Sequence, residues 1–387
     1  MKKVKLLRIT TETYSLNILL KGQLRYMGER GIEVSMASSP DENVEFLKEQ
    51  QNANFYPLPL TRELTPIKDL ISLFHTIRLI RKIKPDIVHT HSPKAGIVGM
   101  LAAFICRVPV RIHTVAGLPL MEVTGFKRKL LDKVESLTYW CADWVLPNSN
   151  ELKTFILDNN LSDTQEKVKV IGNGSSNGLD MKYFSTTPEM IELGNHFKKE
   201  NGITSKSVVL AFMGRLANYK GVNELVEAFV KLQQMHKNLV LLLIGGFEEL
   251  NPLKDSVKRE IATNDSIISV GHQKDVRMFL SIANLFVFPS YREGFPQALM
   301  QACAMGLPSI ASDINGCNEL IKEGVNGKLI PTKDVQAIVT ACSELIQNPD
   351  LRNQMGIASQ QFVIQNFEQN ALWNKIHKFY EDSLIKE

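Results

Sequence analysis

Short apolar runs alternate along almost the whole chain with stretches in which apolar residues recur every three or four positions. Residues 4–9 form the first such run, and Leu16, Leu19, Leu20, Leu24 and Met27 then follow at helical spacing over 16–30. Gly31 closes that helix and residues 32–37 resume a strand, which makes a βαβ opening. Further strands are predicted at 86–89, 110–114, 144–147 and 168–171, separated by helices near 67–84, 95–105, 125–141 and 149–159. Strands that alternate with helices in this way specify a mostly parallel sheet covered on both faces.

A polar stretch rich in Gly, Asn and Ser at 173–178 interrupts the rhythm, which then starts again. VVLAFMG at 208–214 precedes a helix through Leu225, Ala228, Phe229 and Leu232, and LVLLLIG at 239–245, IISVG at 267–271 and LFVFPS at 285–290 follow. A helix over 296–305 and the run LPSIAS at 307–312 extend the pattern. These runs are nearly continuous, as parallel strands buried on both faces require. The expected fold is therefore α/β, with two doubly wound Rossmann-like domains facing a central cleft. Their boundaries are predicted at 1–180 and 181–366, and an amphipathic helix over 367–387 carrying Trp373 and Phe379 is expected to complete the first domain.

A length of 387 residues suits two cores, and 44% hydrophobic with 22% charged residues is enough to build them. The net charge of +4 is too mild to predict nucleic-acid binding. Its distribution is more telling, since residues 1–170 hold 24 Lys and Arg against 18 Asp and Glu. Basic clusters stand at Arg78, Arg81, Lys82 and Lys84 and at Lys127, Arg128, Lys129 and Lys133, the second beside Leu118, Leu120, Met121 and Phe126. They read either as solvated helix faces or as contacts with anionic phospholipid or a lipid-linked diphosphate.

The five cysteines, Cys106, Cys141, Cys303, Cys317 and Cys342, include no C-x-x-C pair, so neither a disulfide framework nor a zinc site is indicated. No apolar run reaches the length of a membrane span, and the first fifteen residues lack the apolar core of a signal peptide. The expectation is a cytoplasmic protein whose membrane contact, if any, is peripheral on the inner face of the cytoplasmic membrane.

Candidate chemistry concentrates at the ends of the predicted strands. GRLANYKG places Gly214, Arg215, Lys220 and Gly221 directly after a buried strand. There the glycine lets a diphosphate approach backbone N–H groups, the arginine can grip two oxygens, and the lysine adds a point charge. No Walker spacing occurs, which disfavours a nucleotide triphosphate hydrolase. In SYREGFPQALMQACAMGLP, Glu293 can accept hydrogen bonds from sugar hydroxyls, Gly294 leaves room beside the backbone, and Gln301 can bond a ribose hydroxyl without bringing charge.

His113 ends a strand in the first half and reads equally as a sugar contact or a structural histidine. His89 and His91 are similarly placed, and Lys94 with Gly96 at a helix start can meet an anionic acceptor. No carboxylate is grouped with the three histidines at metal-ligand spacing, so no metal site is predicted.

These segments together resemble glycosyltransferase family 4, the retaining GT-B enzymes, and within it the bacterial transferases that assemble surface polysaccharides on polyprenyl diphosphate carriers. The resemblance runs through LNILLKGQLRYMGERGIEVSMASSP, DIVHTHSPKAGIVGMLAA, RIHTVAGLP, FMGRLANYKG and PSYREGFPQALMQACAMGLPSIASDINGCNELI, close to the full chain. It implies that Arg215 and Lys220 bind the donor diphosphate, that Glu293 contacts the donor sugar and that His113 lies beside that sugar. Gly214, Gly294, Phe295 and Gln301 complete the implied donor-binding set. Two departures stand out. Gln301 replaces the second Glu that binds ribose in the family, and Thr13, Tyr14, Ser15, Leu16 and Asn17 stand where many relatives carry a Gly-Gly pair.

The implied activity is transfer of a hexose or N-acetylhexosamine from a UDP-sugar to a glycan or polyprenyl-diphosphate-linked acceptor in capsule or lipopolysaccharide synthesis. Attack on the same face as the leaving group and no required metal are part of that implication. Two other readings stay open, a UDP-sugar epimerase on the same scaffold and, because of Gln301, a weakly active nucleotide-sugar-binding module in a transferase assembly.

Overall fold

The computed structural model describes residues 3–61 and 65–385, which divide into two compact units. The first unit runs to Gly178 and is rejoined from Gln369 onward, and the second spans Leu179–Glu368.

In the first unit the chain forms β1 (Lys5–Glu12), α1 (Gln23–Glu29), β2 (Glu33–Ser39), α2 (Val44–Gln51), β3 (Asn54–Pro57), α3 (Pro66–Ile83) and β4 (Ile87–His91). It continues with α4 (Pro93–Ile105), β5 (Val110–Val115), α5 (Gly125–Cys141), β6 (Trp144–Pro147) and α6 (Asn150–Asp158). All pairings are parallel, in the order β3-β2-β1-β4-β5-β6. Successive side chains of a strand leave on opposite faces, and the core divides accordingly. Leu6, Ile87 and Ile112 pack with Leu24 and Met27 of α1, whereas Leu7, Ile9 and Val88 pack with Leu79, Val98 and Ala102 of α3 and α4. α4 is almost wholly buried and lies between α3 and α5.

The second unit repeats the plan. α7 (Pro188–Glu200) leads into β7 (Val208–Met213), α8 (Val222–Met235), β8 (Leu239–Ile244), α9 (Asp255–Thr263), β9 (Ile267–Ser269), α10 (Arg277–Ser281) and β10 (Leu285–Phe288). α11 (Gln297–Ala304), β11 (Ser309–Ser312), α12 (Cys317–Leu320), β12 (Gly327–Ile330), α13 (Val335–Gln347) and α14 (Pro349–Phe367) follow. The sheet order is β12-β11-β10-β7-β8-β9, again all parallel, so both units have the doubly wound order of dinucleotide-binding folds. α15 (Gln369–Leu384) returns to the first unit, where Leu372, Trp373, Ile376 and Tyr380 fill the α1 side of its core.

Two local expectations are corrected, and one strand is added. The helix predicted over 16–30 is broken into a π-helical turn at Ser15–Leu19 and α1, because Gly22 takes φ 78° and its missing side chain leaves room for Trp373. A Cβ there would stand 2.9 Å from the Trp373 ring. The strand predicted at 168–171 is reduced to one bridge between Val168 and Val145. β3, an edge strand of four residues ending in Pro57, was not anticipated.

Candidate active site

β7 and β10 are sheet neighbours whose onward connections run in opposite directions, to β8 on one side and to β11 on the other. Beyond the carboxyl ends of two such strands the loops diverge and leave a crevice where ligands bind. Residues 214–221 follow β7 and residues 289–296 follow β10, so the sequence-predicted Arg215, Lys220 and Glu293 all belong to this point of the second unit.

Two glycines set the spacing. Gly221 has φ 70°, and a Cβ on it would lie 2.0 Å from the Pro289 carbonyl oxygen, so the first loop closes on the start of the second in a way open only to glycine. The Tyr291 amide donates to the Tyr219 carbonyl at 2.9 Å across the same junction. On the far side Gly316, with φ 78°, would place a Cβ 2.4 Å from the Gly294 carbonyl. The Asn315 side-chain amide donates to the carbonyls of Glu293 and Gly294, each at 3.0 Å. The Glu293 loop is thus clamped from both flanks.

Within this frame Lys220 Nζ donates to Glu293 Oε1, a pair brought together from 73 residues apart. Both side chains are mostly buried but reachable, at 15% and 13% exposure. Arg215 is 62% exposed and donates through Nη1 to Glu248 Oε2 at 2.5 Å. The Tyr219 ring collects the cations, with Arg292 4.4 Å, Arg215 5.4 Å and Lys220 5.5 Å from its centroid. Three cations therefore face two carboxylates around one aromatic ring, which leaves a positive balance in a partly desolvated place where charge acts strongly. Burial lowers the Arg292 pKa, with Glu293 opposing, and burial first, then Glu293, pushes the Cys317 thiol well up. Tyr219, Glu248 and Arg292 were not singled out from sequence. The only signal for them is adjacency, to Lys220, to the end of β8 and to Glu293.

The remaining predicted positions of this unit differ in what they offer. Gly214 is half-buried at the end of β7 with φ 152°. Phe295 is buried with its ring 5.2 Å from that of Phe367, so its side chain belongs to the core. Gln301 is half-buried on α11, one turn beyond Gln297.

In the first unit His113 is buried on β5, its Nδ1 2.7 Å from the Thr90 hydroxyl and its ring 6.0 Å from that of Tyr139. Burial, reinforced by Arg8, lowers its pKa to about 3, so the ring is neutral. Gly96 serves this histidine, since a Cβ there would lie 2.5 Å from His113 Cε1. That corrects the reading of Lys94 and Gly96 as a pair facing an anionic acceptor. Lys94 is 8% exposed and donates to both Asp69 carboxylate oxygens at 2.7 Å.

His89 binds the Tyr380 hydroxyl and the Arg8 guanidinium through Nδ1 and the Thr114 hydroxyl at 2.7 Å through Nε2. His113 pairs in register with Thr90 rather than His89, so their rings leave opposite faces of the sheet and cannot share a ligand. Leu118 and Leu120, expected at a surface with Met121 and Phe126, are buried in the core, and only Met121 and Phe126 are exposed.

Comparison with known proteins matches residues 195–383 to the family described as Glycosyl transferases group 1 and residues 20–174 to the Glycosyl transferase 4-like domain. The capsular polysaccharide biosynthesis glycosyltransferase CapM of Staphylococcus aureus is 31% identical over 387 residues, covering 100% of this chain and 99% of that protein. A UDP-Gal:α-D-GlcNAc-diphosphoundecaprenol α-1,3-galactosyltransferase of Escherichia coli is 30% identical, covering 89% of this chain and 87% of its own length. Among solved structures, Anabaena HepE in complex with UDP superposes with a TM-score of 0.81 at 18% identity, covering 98% of this chain and 100% of that one. A Rickettsia africae glycosyltransferase gives 0.81 at 22% identity, with full coverage of both chains.

Proposed function

Because this chain belongs to the group 1 and 4-like glycosyl transferases and is a glycosyltransferase of the GT-B fold, we propose that it transfers a sugar from a UDP-sugar to a polyprenyl-diphosphate-linked glycan with retention at the anomeric carbon. One observation carries the donor assignment, the convergence of Arg215, Lys220 and Glu293 at the switch point of the second sheet. In this reading Arg215 and Lys220 bind the diphosphate, and Lys220 exchanges part of its contact with Glu293 for a phosphate oxygen. Glu293 accepts hydrogen bonds from the donor sugar, Gln301 meets the ribose, and the backbone of Gly214, Gly294 and Phe295 lines the path. The UDP and UDP-glucose complexes of Anabaena HepE and the UDP-Gal of the E. coli relative's name support the choice of nucleotide.

The bond from the anomeric carbon to the β-phosphate oxygen breaks with its electron pair leaving on the phosphate. The acceptor oxygen bonds to the same face of that carbon, and its proton passes to the departing phosphate. Negative charge grows on the β-phosphate as the bond breaks, so the two cations act most strongly in the transition state. Neutral His113 is assigned a hydrogen-bonding role through Nε2, the nitrogen not engaged with Thr90.

The acceptor assignment draws on the diphosphoundecaprenol of the E. coli relative's name and the diphospho-undecaprenol of a Campylobacter jejuni relative, 27% identical over 84% of this chain. Residues 1–180 with the 367–387 helix form the proposed acceptor domain, 181–366 the proposed donor domain, and contact with an anionic membrane is peripheral. The test is a screen of UDP- and GDP-sugars against short-chain lipid diphosphate glycans, with product configuration read by NMR. Inversion at the anomeric carbon overturns the mechanism, and turnover with GDP-sugars alone overturns the donor.

A further inference from the structure

Two helices of the first unit carry apolar side chains where water should be. On α3, Ile67, Leu70, Ile71 and Phe74 recur at helical spacing and are exposed, Ile67 to 77%. Arg78, Arg81 and Lys82 continue the same stripe and are exposed as well. On α5 the exposed stripe is Phe126, Lys129, Leu130, Lys133, Leu137 and Trp140, with Phe126 exposed to 84%. Turning by 100° per residue keeps each set within one face, the face opposite the buried one. No carboxylate stands on either stripe, for Asp69 is turned to Lys94 and Asp132 to Arg128, while Glu135 is buried.

The two stripes belong to one surface. α3 and α5 flank α4, so at ordinary helix spacing their axes are about 16–20 Å apart. Between them α4 adds exposed Phe104 and Ile105, and Phe104 packs on Trp140 at 4.8 Å. Helices that connect parallel strands begin near the carboxyl edge of the sheet. Ile67, Leu70, Ile71 and Phe74 are therefore in the half of α3 nearest that edge, as are Phe126 and Leu130 in α5.

We infer that this α3–α5 face is a membrane-docking surface, which inserts its apolar side chains into an anionic bilayer while Arg78, Arg81, Lys82, Lys129 and Lys133 contact the headgroups. The occupant is a lipid surface because apolar and cationic side chains alternate along each stripe, and among the described residues the carboxylates of these two helices are paired with Lys94 and Arg128 or buried, the pattern of interfacial helices. The inference rests on the lipid-linked acceptor proposed above and gives it a route. The carboxyl edge of the acceptor domain sits next to the bilayer, so a diphosphate headgroup reaches it without the lipid tail leaving the membrane.

The test uses the full chain and two assays. In flotation with phosphatidylglycerol/phosphatidylethanolamine vesicles, the wild type floats at low salt and much less at high salt. Ile67→Ser/Leu70→Ser/Phe74→Ser lowers partitioning at least tenfold, and Arg78→Gln/Arg81→Gln/Lys82→Gln lowers it about a hundredfold at low salt, at roughly fivefold per charge. Phe126→Ser/Leu130→Ser gives an independent variant of the second helix.

In the transfer assay the apolar variants retain activity on a short-chain, water-soluble lipid diphosphate glycan and lose it on the long-chain form in vesicles. Wild-type protein that ignores vesicles at low salt, or variants that float and transfer like the wild type, overturn the docking surface. Absence of transfer to either acceptor by the wild type overturns the acceptor reading instead, and vesicle binding still decides the surface on its own.

Discussion

Replacing Glu135 by Gln should stabilise the first unit at neutral and alkaline pH and leave it nearly unchanged near pH 4.5. Glu135 is 5% exposed on α5, and burial pushes its carboxyl from an ordinary 4.5 up to about 7, with the neighbouring Tyr139 hydroxyl acting in the opposite direction. As pH rises the unfolded chain releases this proton first, so folding stability falls from about pH 4.5 and levels off once the folded-state pKa is passed. At 1.36 kcal/mol per pK unit the cost at pH 8 is about 3 kcal/mol. Gln carries no titrating proton and escapes this cost.

The assay is urea unfolding followed by tryptophan fluorescence, because Trp140, Trp144 and Trp373 all belong to the first unit and report it alone. The advantage of Glu135→Gln over the wild type should grow from near zero at pH 4.5 to about 3 kcal/mol at pH 8. A pH-independent difference, or a less stable variant at pH 8, would refute the reasoning. The position bears on the role proposed for His113, because the Tyr139 ring beside Glu135 packs against the His113 ring.

Gly96→Ala should push the His113 ring aside, costing about 1–3 kcal/mol of stability and lowering kcat more than it raises KM. Melting curves and steady-state kinetics check it, and unchanged values in both would mean the ring moves freely. Asp69→Asn should leave Lys94 buried without its counter-charge and destabilise the first unit by about 3 kcal/mol, readable in the same fluorescence transition. Gln301→Glu should tighten UDP binding about fivefold by calorimetry, the gain of a charge-assisted hydrogen bond to the ribose diol. Unchanged affinity would remove Gln301 from the ribose site.

Much of the fold was legible because β7, β8 and β10 are unbroken apolar runs that no other element explains, and the α5 span of 125–141 is marked by its own periodicity. β3 was not legible, being a four-residue edge strand with little buried surface. The break after the π-helical turn was hidden because it depends on Trp373, more than 300 residues away in sequence. In the candidate site, Arg215, Lys220 and Glu293 were legible as residue types after strands, but the Lys220–Glu293 pair exists only through sheet order. Lys94 was misread because its partner, Asp69, comes from the preceding helix, which periodicity cannot orient. Similarly, Leu118 and Leu120 beside a basic run suggested a surface, whereas the exposed apolar stripe begins on α3.

The most direct measurement is UDP affinity together with donor turnover in a folded Arg215→Met/Lys220→Met protein. With about 2–4 kcal/mol of transition-state stabilisation lost per cation, kcat/KM should fall by at least about a thousandfold, and UDP binding should weaken markedly. A double variant that keeps the wild-type circular dichroism, UDP affinity and turnover would show that leaving-group charge is neutralised elsewhere, which contradicts the account.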